Sequence, residues 1–480
     1  MSDREIELFI KDFLKEIRED NAAIFAGAGL SASAGFVNWR ELLRPIADEL
    51  RLDVDKESDL VAVAQYHCNE NAGNRHRLNQ AIIDQLSVGA APTENHRILA
   101  RLPVGTYWTT NYDQLIESAL REAGKIADVK HTTEQLATTK ARRDAIVYKM
   151  HGDVEHPHDA VLIKDDYEKY HAKRGAFITA LAGDLVSKTF LFIGFSFTDP
   201  NLEYVLSRVR VTFRENQRRH YCIFKKRTKQ DDESAAEFEN AQIKQRLAIE
   251  DLKRFNIKTL LIDDYAQITE MLAKIERQYR QRTIFISGSA EEYGSWTKSA
   301  TEEFLRDLSR ALVQQGYRVA TGVGLGVGDA VITGAIEEVY RARTGHIEDS
   351  LVMRPFPRAN PDEAVRQRLW EEYRQELISA AGICLVVLGN KRVDGLIVPA
   401  GGVRQEYEIS RQHGLNVVPL GATGYMANEI WAEMSSALDT HYPDAKADLR
   451  EAFNRLGVAA EKPTELISRT LEFIGLITKE

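Results

Sequence analysis

Asn21-Ala-Ala-Ile-Phe-Ala-Gly-Ala-Gly-Leu-Ser31 is the stretch from which the fold of the first half of the chain can be predicted. Residues 22–25 read as a short buried strand, and Gly27, Ala28 and Gly29 allow a sharp turn into a helix. The backbone N–H groups of such a turn point at one spot and favour a phosphate or pyrophosphate. The same glycines also occur where two elements simply pack closely, so the stretch alone leaves both interpretations open.

Further strand-like runs follow, separated by helical patterns. The runs cover residues 106–109, 145–150, 189–193, 221–224 and 257–262. Their alternation with helices predicts a mostly parallel sheet with helices on both faces. Residues 225–254 are highly charged and predict a long exposed helix, whose charges are interpreted as a solvated face rather than a binding patch.

Polar residues stand where three of these strands end. Asn111 and Asp113 follow the run at 106–109, His151 follows the run at 145–150, and Gly194 and Ser196 follow the run at 189–193. The carboxyl ends of parallel strands form the edge at which open α/β sheets hold ligands. We therefore expect these residues to meet the glycine turn in one site.

The pattern of a strand followed by glycines starts again at Thr283, which places a domain boundary between residues 282 and 283. Residues 1–282 and 283–480 are thus expected to form two domains. The second contains strand-like runs at 317–321, 351–354, 381–388 and 416–420 and a glycine run at 322–328. The fold class expected is α/β, with two Rossmann-like parallel-sheet domains and helical additions in the first. Close packing of a helix on the sheet is an equal explanation for the second glycine run.

The composition of the 480 residues is typical of a globular protein, with 44% hydrophobic and 28% charged residues. A net charge of −9 gives no reason to expect nucleic acid or an anionic membrane surface as a partner. The three cysteines, Cys68, Cys222 and Cys384, form no Cys-x-x-Cys pair, which argues against a disulfide framework or a cysteine zinc site. Without an export signal or an apolar run of bilayer length, the expected location is the cytoplasm.

Four motifs in this order resemble those of the sirtuin family of NAD-consuming enzymes. They are Gly-Ala-Gly-x-Ser at 27–31, Thr-x-Asn-x-Asp at 109–113, His-Gly at 151–152 and Gly-x-Ser at 194–196. The resemblance covers roughly residues 1–275 and implies a sirtuin-like domain with NAD as substrate. It implies that Asn111 and His151 are catalytic. It also implies the following contacts to NAD: Ala26, Gly27, Ala28, Ser31, Asp113, Gly194 and Ser196.

The chemistry implied is cleavage of the bond between nicotinamide and ribose. Departure of neutral nicotinamide leaves an oxocarbenium-like ribose, so positioning and charge stabilisation matter most. The Asn111 amide is suited to hold a ribose hydroxyl or the attacking water, and neutral His151 can accept a proton. A carboxylate in the position of Asp113 can equally cap the following helix or hold the loop.

Two departures from the sirtuin pattern change the expected reaction. Three scattered cysteines cannot supply the four-cysteine zinc module of protein-deacylating sirtuins, so no metal is expected. The lid segment that leads to Arg40 is also altered, with Asn38 and Trp39 before it. Water is then the expected acceptor, which makes the protein an NAD hydrolase. The alternatives are an NAD-dependent protein deacylase and a non-catalytic nucleotide-binding regulator.

The second domain resembles the SLOG group of nucleotide-sensing domains through Ser287-Gly-Ser289, the glycine run and residues 399–406. Enzymatic relatives carry Pro-Gly-Gly-x-Gly-Thr-x-x-Glu, which Ala400, Val403 and Arg404 disturb here although Glu406 remains. Ligand binding without turnover is expected, with phosphoribohydrolase activity as the alternative. The resemblance implies these ligand contacts: Gly288, Ser289, Gly324, Arg374, Lys391, Gly402 and Glu406. Arg354, Arg358, Arg366 and Arg368 lie near Arg374 in sequence and compete for its role.

The order of the two domains, with Leu162-Ile-Lys-Asp-Asp-Tyr167 and Asp199-Pro-Asn-Leu202, is similar to the effector family of Thoeris anti-phage systems. The resemblance spans nearly the whole chain. It implies a partner protein with a TIR domain that makes a cyclic ADP-ribose isomer, which the second domain binds before the first destroys NAD. It also implies a homotetramer or filament, for which the amphipathic helix at the start of the chain is a candidate packing element.

Overall fold

The computed structural model describes residues 3–36, 39–86, 89–197, 199–231, 233–343, 345–356, 362–443, 445–460 and 462–478. The chain divides into two compact units, Met1–Glu276 (unit 1) and Arg277–Glu480 (unit 2). The division lies inside a helix, Ala266–Arg280, and the boundary predicted after residue 282 lies just beyond that helix.

Unit 1 is built on a sheet of seven strands. The strands are β1 (Ala22–Ala26), β2 (Thr106–Thr109), β3 (Ala127–Lys130), β4 (Ala145–Lys149), β5 (Thr189–Ile193), β6 (His220–Lys225) and β7 (Ile257–Ile262). Their order is β3-β4-β2-β1-β5-β6-β7, and every pair is parallel. All residues of β1, β2 and β5 are buried, so both faces of the central sheet are covered.

The helices of unit 1 follow the strands and add a helical segment between β1 and β2. They are α1 (Asp3–Arg18), α2 (Ala28–Ala32), α3 (Trp39–Glu49), α4 (Leu60–Glu70), α5 (His76–Leu86), α6 (Glu94–Arg101), α7 (Leu115–Glu122), α8 (Thr133–Leu136), α9 (Lys164–Glu168), α10 (Tyr170–Ser187), α11 (Pro200–Phe213), α12 (Ala235–Leu252) and α13 (Ala266–Arg280).

The apolar stripe of α1 is used inside unit 1. Phe9, Phe13 and Leu14 are all buried, and the Phe9 ring lies 4.9 Å from the ring of Tyr221 on β6. Since this stripe already packs within its own unit, α1 does not offer it for subunit packing. The expectation that this helix packs between subunits is therefore not supported by its burial.

Unit 2 is a second α/β unit around a five-stranded parallel sheet. Its strands are β8 (Thr283–Ser289), β9 (Arg318–Thr321), β10 (Leu351–Met353), β11 (Ile383–Leu388), β12 (Asn390–Val393), β13 (Leu396–Pro399) and β14 (Asn416–Pro419). The sheet order is β10-β9-β8-β11-β14, while β12 and β13 form a separate antiparallel hairpin. The helices are α14 (Lys298–Gln314), α15 (Gly328–Ala342), α16 (Ile347–Ser350), α17 (Glu363–Ser379), α18 (Gly401–Gln412), α19 (Tyr425–Ser436), α20 (Leu438–His441), α21 (Ala447–Arg455) and α22 (Pro463–Thr478).

Three strands, β3, β12 and β13, were not predicted from the sequence. β3 contains a charged pair, Asp128 and Lys130, whose side-chain atoms lie 2.8 Å apart in a buried position, and these charges hide the strand pattern. The hairpin of β12 and β13 turns at Asp394 and Gly395, both with positive φ. Asp-Gly is a known signal for such a turn and could have revealed the hairpin.

No helix in the described ranges combines the length and hydropathy that a bilayer span requires. Cys68, Cys222 and Cys384, all three in those ranges, are buried and carry free thiols. The prediction that the cysteines form no disulfide framework agrees with this arrangement.

Candidate active site

Seven of the nine site residues predicted for unit 1 line one cavity of about 740 Å³, the His151 cavity. They follow the ends of four neighbouring strands. β4, β2, β1 and β5 are adjacent in the sheet, so their carboxyl ends lie side by side. The predicted residues in the wall are Ala28, Ser31, Asn111, Asp113, His151, Gly194 and Ser196. Motifs that lie up to about 170 residues apart in sequence are thereby brought together.

The glycines of the opening stretch are required by close packing of two loops. A Cβ on Gly27 would lie 2.3 Å from the carbonyl oxygen of Gly194, and one on Gly29 would lie 2.9 Å from its Cα. The N–H of Gly27 donates to Ile193 and that of Gly29 donates to Gly194. These two amides are therefore not free for a phosphate, and the idea that the turn offers several free N–H groups is wrong for them.

Ala26 and Gly27 lie behind the cavity wall rather than in it. Ala26 is fully buried, and its carbonyl oxygen accepts a hydrogen bond from the Thr109 hydroxyl at 2.9 Å. The Gly27 carbonyl accepts one from the Asn111 amide at 3.1 Å. Both residues support the groups that face the cavity, and their direct contact with NAD stays a prediction.

Asn111 is fixed by hydrogen bonds to the glycine turn. Its Nδ2 donates to the carbonyl of Gly27 and, at 3.0 Å, to the hydroxyl of Ser31. Its backbone N–H donates to the Thr109 hydroxyl at 2.9 Å. With the amide nitrogen engaged, Oδ1 is the group of Asn111 that can accept a hydrogen bond from a ribose hydroxyl or a water.

His151 is buried and faces a carboxylate. Its Nε2 lies 2.9 Å from Oδ2 of Asp199, which also caps α11 by accepting the N–H of Leu202 at 2.9 Å. Burial raises the pKa of Asp199, but the charge and hydrogen bond of His151, with the backbone amides of Asn201 and Leu202, outweigh it and hold the pKa below its usual range. Asp199 is therefore an anion that can orient the imidazole and stabilise its protonated form.

A buried lysine ties the loops of Asn111 and His151 together. Lys149, fully buried at the end of β4, donates to the carbonyls of Tyr112 at 3.1 Å and Asp113 at 2.6 Å. Its ammonium also pairs with Asp153 and, at 3.1 Å, with Glu117. Such a pair is strongly destabilising to break, because removing one partner leaves a buried charge uncompensated.

Sequence reasoning missed both Asp199 and Lys149 as parts of the site. Asp199 stands before Pro200, the signature of a helix start, and it belongs to the Asp199-Pro-Asn-Leu202 motif of the resemblance, but neither signal indicates a partner for His151. Lys149 ends an apolar strand, where a lysine is unusual. That unusual position was the one available signal for a buried ion pair.

Asp113 holds the start of the helix that follows it, one of the two roles that the sequence left open. Its Oδ1 accepts the N–H of Leu115 at 3.0 Å and so holds the start of α7. The residue also lines the His151 cavity, where contact with NAD stays a prediction.

The altered lid segment borders the same cavity. Phe36, Trp39 and Leu42 line it, and the Trp39 ring lies 6.3 Å from that of Tyr112. Arg40 donates to the carbonyls of Val54 and, at 3.1 Å, Glu57. The Arg40 guanidinium is therefore held by backbone carbonyls of unit 1. Asn38 lies outside the described residues.

A second cavity of about 950 Å³, the Lys225 cavity, lies on the other side of the glycine crossing. It shares Gly194, Phe195 and Ser196 with the His151 cavity. One face of α12 contributes Lys244 to its wall. The interpretation of this charged helix as a solvated face alone is therefore incomplete.

In unit 2 all predicted ligand contacts line one cavity of about 1270 Å³, the Glu406 cavity. They are Gly288, Ser289, Gly324, Arg374, Lys391, Gly402 and Glu406. A Cβ on Gly324 would lie 2.0 Å from the carbonyl oxygen of Gly288, so close packing of the two loops requires this glycine.

Glu406 is a buried residue in the wall of the Glu406 cavity. Its Oε2 accepts a hydrogen bond from the Ser287 hydroxyl, and its Oε1 lies 3.6 Å from Nε of Arg374. Burial raises the pKa of Glu406, although the Ser287 bond and the Arg374 charge oppose the shift. The Arg374 guanidinium also lies 5.0 Å from the ring centre of Phe356.

The competing arginines of this region are placed differently. Arg354 pairs with Glu376, and Arg368 lies 3.7 Å from Glu372 on an exposed face of α17. Arg366 lines the Glu406 cavity beside Arg374. Arg358 lies outside the described residues.

One group of carboxylate and imidazole side chains in the described ranges has the spacing of a metal site: Asp153, Glu155 and His156. Asp153 already accepts hydrogen bonds from Gln114 and Lys149 and from the N–H of Glu155. Its oxygens are thus occupied. The expected absence of a metal stays a prediction.

Comparison with known families agrees with this architecture. The SIR2-like domain family matches residues 105–245, and the Sir2- and TIR-associating SLOG family matches residues 267–477. The fold, the two sites and these matches define a sirtuin-like domain joined to a SLOG domain. The resemblances predicted from the motifs are confirmed.

The relatives of the whole chain are more specific. The chain is 53% identical over 473 residues, 98% of each chain, to the NAD(+) hydrolase ThsA of Bacillus cereus (strain MSX-D12). It is 48% identical to the NAD(+) hydrolase ThsA of Acinetobacter baumannii (strain 532279), over 99% of this chain and 100% of the relative. Defense-associated sirtuin 2 of Bacillus subtilis is 25% identical over 248 residues, 50% of this chain and 24% of the relative. The chain belongs to the ThsA family of NAD(+) hydrolases.

Proposed function

We propose that unit 1 hydrolyses NAD to nicotinamide and ADP-ribose. The observation that carries the proposal is the wall of the His151 cavity, where the amide of Asn111 and the pair of His151 and Asp199 face one space. Membership of a family whose members are named NAD(+) hydrolases supports it.

Two adjoining cavities of unit 1 offer space for the substrate. The His151 and Lys225 cavities adjoin at Gly194, Phe195 and Ser196, so a dinucleotide can extend from one into the other. The nicotinamide ribose enters the His151 cavity, the pyrophosphate crosses at the glycine loops, and the adenosine occupies the Lys225 cavity. Ala28 and Ser196 stand at that crossing, which fits their prediction as contacts.

The reaction is a displacement at the ribose carbon. The bond from C1′ to the pyridinium nitrogen breaks, and its electron pair neutralises nicotinamide as it leaves. Oδ1 of Asn111 holds the ribose or the water, and the water oxygen bonds to C1′. The proton of the water passes to His151, whose protonated ring is stabilised by the anionic Asp199.

Unit 2 acts as the sensor that switches this reaction on. It binds a cyclic ADP-ribose isomer in the Glu406 cavity, with Arg374 and Lys391 on the pyrophosphate and Glu406 on ribose hydroxyls. A partner protein with a TIR domain makes the isomer, and the name of the family matched by unit 2, which refers to TIR association, supports this. The ligand controls hydrolysis because it binds the active state more tightly than the resting state.

The biological outcome proposed is depletion of cytoplasmic NAD during phage infection. The relative named as a defence-associated sirtuin supports a role in defence. The resting and active states differ in how the subunits are arranged in a homotetramer or filament. No nucleic acid and no membrane take part.

The test is an incubation of the purified full-length protein with NAD and cyclic ADP-ribose isomers, followed by chromatography of the products. We expect nicotinamide and ADP-ribose in equal amounts without any acylated peptide. The Asn111→Ala variant, folded as judged by circular dichroism, should release neither. A requirement for an acylated peptide would instead establish a deacylase, and release of nothing with any isomer would contradict the proposal.

A further inference from the structure

The Lys225 cavity carries more positive charge than the adenosine half of NAD requires. Adenosine is neutral, and the pyrophosphate lies at the shared wall of Gly194, Phe195 and Ser196. The cavity wall nevertheless includes two lysines, Lys225 and Lys244. The excess points to a further anionic group on the ligand.

Both lysines are held on the same side of the cavity. Gln245 of α12 donates to the carbonyl of Lys225 at 2.9 Å and accepts the N–H of Arg227 at 3.0 Å. These two bonds fix α12 beside the end of β6, and Lys244 of this helix lines the same cavity as Lys225. The two ammonium groups can therefore approach one anion.

The acidic groups nearby do not neutralise this pair. Glu94 lines the cavity, and its carboxylate pairs at 2.9 Å with Arg101, which it shares with Glu276. Asp264 lies 4.0 Å from the Lys225 ammonium, and 68% of its side chain is exposed. An exposed ion pair at this distance contributes little.

An aromatic ring places the Lys225 ammonium beside the expected base. Nζ of Lys225 lies 4.7 Å from the ring centre of Tyr265. Tyr265 also lines the cavity, and 64% of it is exposed. A large exposed aromatic ring at a cavity wall is suited to stack on a purine. The Lys225 ammonium covers one face of this ring, and its flexible side chain can leave the ring to meet an anion on the sugar of a stacked adenosine.

We propose that Lys225 and Lys244 bind a phosphate on the 2′-oxygen of the adenosine ribose, so that unit 1 accepts NADP as well as NAD. The inference rests on the proposed NAD hydrolysis and deepens it by naming a second substrate. A phosphate monoester carries a charge of about −1.5 to −2 at neutral pH and accepts charge-assisted hydrogen bonds from ammonium groups. Hydrolysis of NADP breaks the same bond as hydrolysis of NAD. Its products are nicotinamide and ADP-ribose 2′-phosphate.

Binding of fragments tests the inference without turnover. Adenosine 2′,5′-bisphosphate and adenosine 5′-monophosphate differ only by the 2′-phosphate, and calorimetry on the full-length protein measures both. We expect the bisphosphate to bind at least about ten-fold more tightly, which is the effect of one charge-assisted contact. Equal affinities of the two nucleotides would overturn the inference.

Three variants identify the residues. Lys225→Met and Lys244→Met keep the length of the side chain and remove its charge, and each should reduce the ten-fold preference while affinity for the monophosphate stays the same. Lys253→Met is the matched control, because Lys253 is exposed, pairs with Glu250 and does not line the cavity. If both nucleotides weaken together in Lys225→Met, the lysine binds the 5′-phosphate and the inference is wrong.

Turnover separates this inference from the proposed function. With a cyclic ADP-ribose isomer as activator, nicotinamide release is measured from NAD and from NADP. Release from both, with kcat/KM for NADP falling in Lys225→Met, supports both statements. Release from NAD alone overturns the inference and leaves the proposed function intact. Release from neither overturns the proposed function, while the fragment measurements still decide whether the lysines bind a 2′-phosphate.

Discussion

The two units each place a buried carboxylate in a glycine-lined cavity, and the surroundings shift its pKa in opposite directions. In unit 1, Asp199 has His151 at 2.9 Å and backbone amides at a helix start, and these partners hold its pKa below the usual range despite burial. In unit 2, burial raises the pKa of Glu406, which keeps only the Ser287 hydroxyl and Arg374 at 3.6 Å.

The difference fits the two uses proposed for these cavities. The Asp199 carboxylate is satisfied by partners from its own unit, so the imidazole beside it is ready for proton transfer before any ligand arrives. Beside Glu406, the buried Nε of Arg374 has no hydrogen-bond partner among the described residues, and a ligand with anionic and hydroxyl groups would complete the bonds of this pair. An internally completed site suits catalysis, and an incomplete one suits a sensor. The predictions that follow test this contrast.

The largest effect is expected for His151→Ala. Loss of the proton acceptor should lower kcat for nicotinamide release by about a hundred- to ten-thousand-fold, the usual contribution of a general base. Chromatographic product analysis with saturating activator measures it. His158→Ala is the control, since His158 is exposed and lies in the loop that follows. Equal loss in both variants would show that the loop, and not the His151 imidazole, is responsible.

A smaller effect is expected for Asp199→Asn. Asparagine still caps α11, so the fold is retained, but the protonated imidazole loses its anionic partner. We expect kcat to fall about ten- to a hundred-fold, part of the general-base contribution, while KM for NAD stays within about two-fold. Steady-state kinetics separate the two constants. A rise in KM at constant kcat would show that Asp199 binds substrate instead of positioning His151.

In unit 2, Arg374→Ala should weaken the activator and leave catalysis intact. A charge-assisted contact to a pyrophosphate accounts for about ten- to a hundred-fold in affinity. The concentration of cyclic ADP-ribose isomer that gives half-maximal nicotinamide release should rise by that factor, with the same maximal rate. Arg368→Ala, on the exposed face of the same helix, should behave like the wild type. A lower maximal rate at unchanged activator concentration would place Arg374 in the switch itself.

The smallest effect is expected for the stability of Glu406→Gln. Because the pKa of Glu406 is raised in the folded state, its contribution to stability is present below the unfolded pKa of about 4.3 and is lost as the pH rises through the folded pKa. Glutamine cannot ionise, so the variant should unfold a few degrees higher than wild type at pH 8 and at the same temperature at pH 4. Scanning calorimetry at the two pH values measures this. A less stable variant at pH 8 would mean that the Arg374 pair outweighs burial.

Much of the fold could be predicted because it depends on local patterns. Continuous apolar runs ending in glycine or polar residues gave β1, β2, β5 and β7 within one residue of their observed ends. β3 was missed because a buried ion pair interrupts its apolar pattern, and the hairpin of β12 and β13 was missed because its Asp394-Gly395 turn was not recognised as a hairpin signal.

The sequence predicted which residues meet in the candidate site, but not the hydrogen bonds and ion pairs between them. Strand ends and motif order brought Asn111 and His151 together. That the amides of Gly27 and Gly29 donate to the loop of Gly194 depends on packing between distant segments, which no local pattern reports. The pairing of His151 with Asp199 has the same origin.

The central claim is that a ligand in unit 2 controls bond cleavage in unit 1. It is tested most directly by titrating nicotinamide release from NAD against cyclic ADP-ribose isomers for the wild type, Arg374→Ala and His151→Ala. The account predicts a saturable rise from a low basal rate with at least one isomer, the same rise at higher ligand concentration in Arg374→Ala, and a flat baseline in His151→Ala. A rate that is independent of every isomer, or that persists in folded His151→Ala, would contradict it.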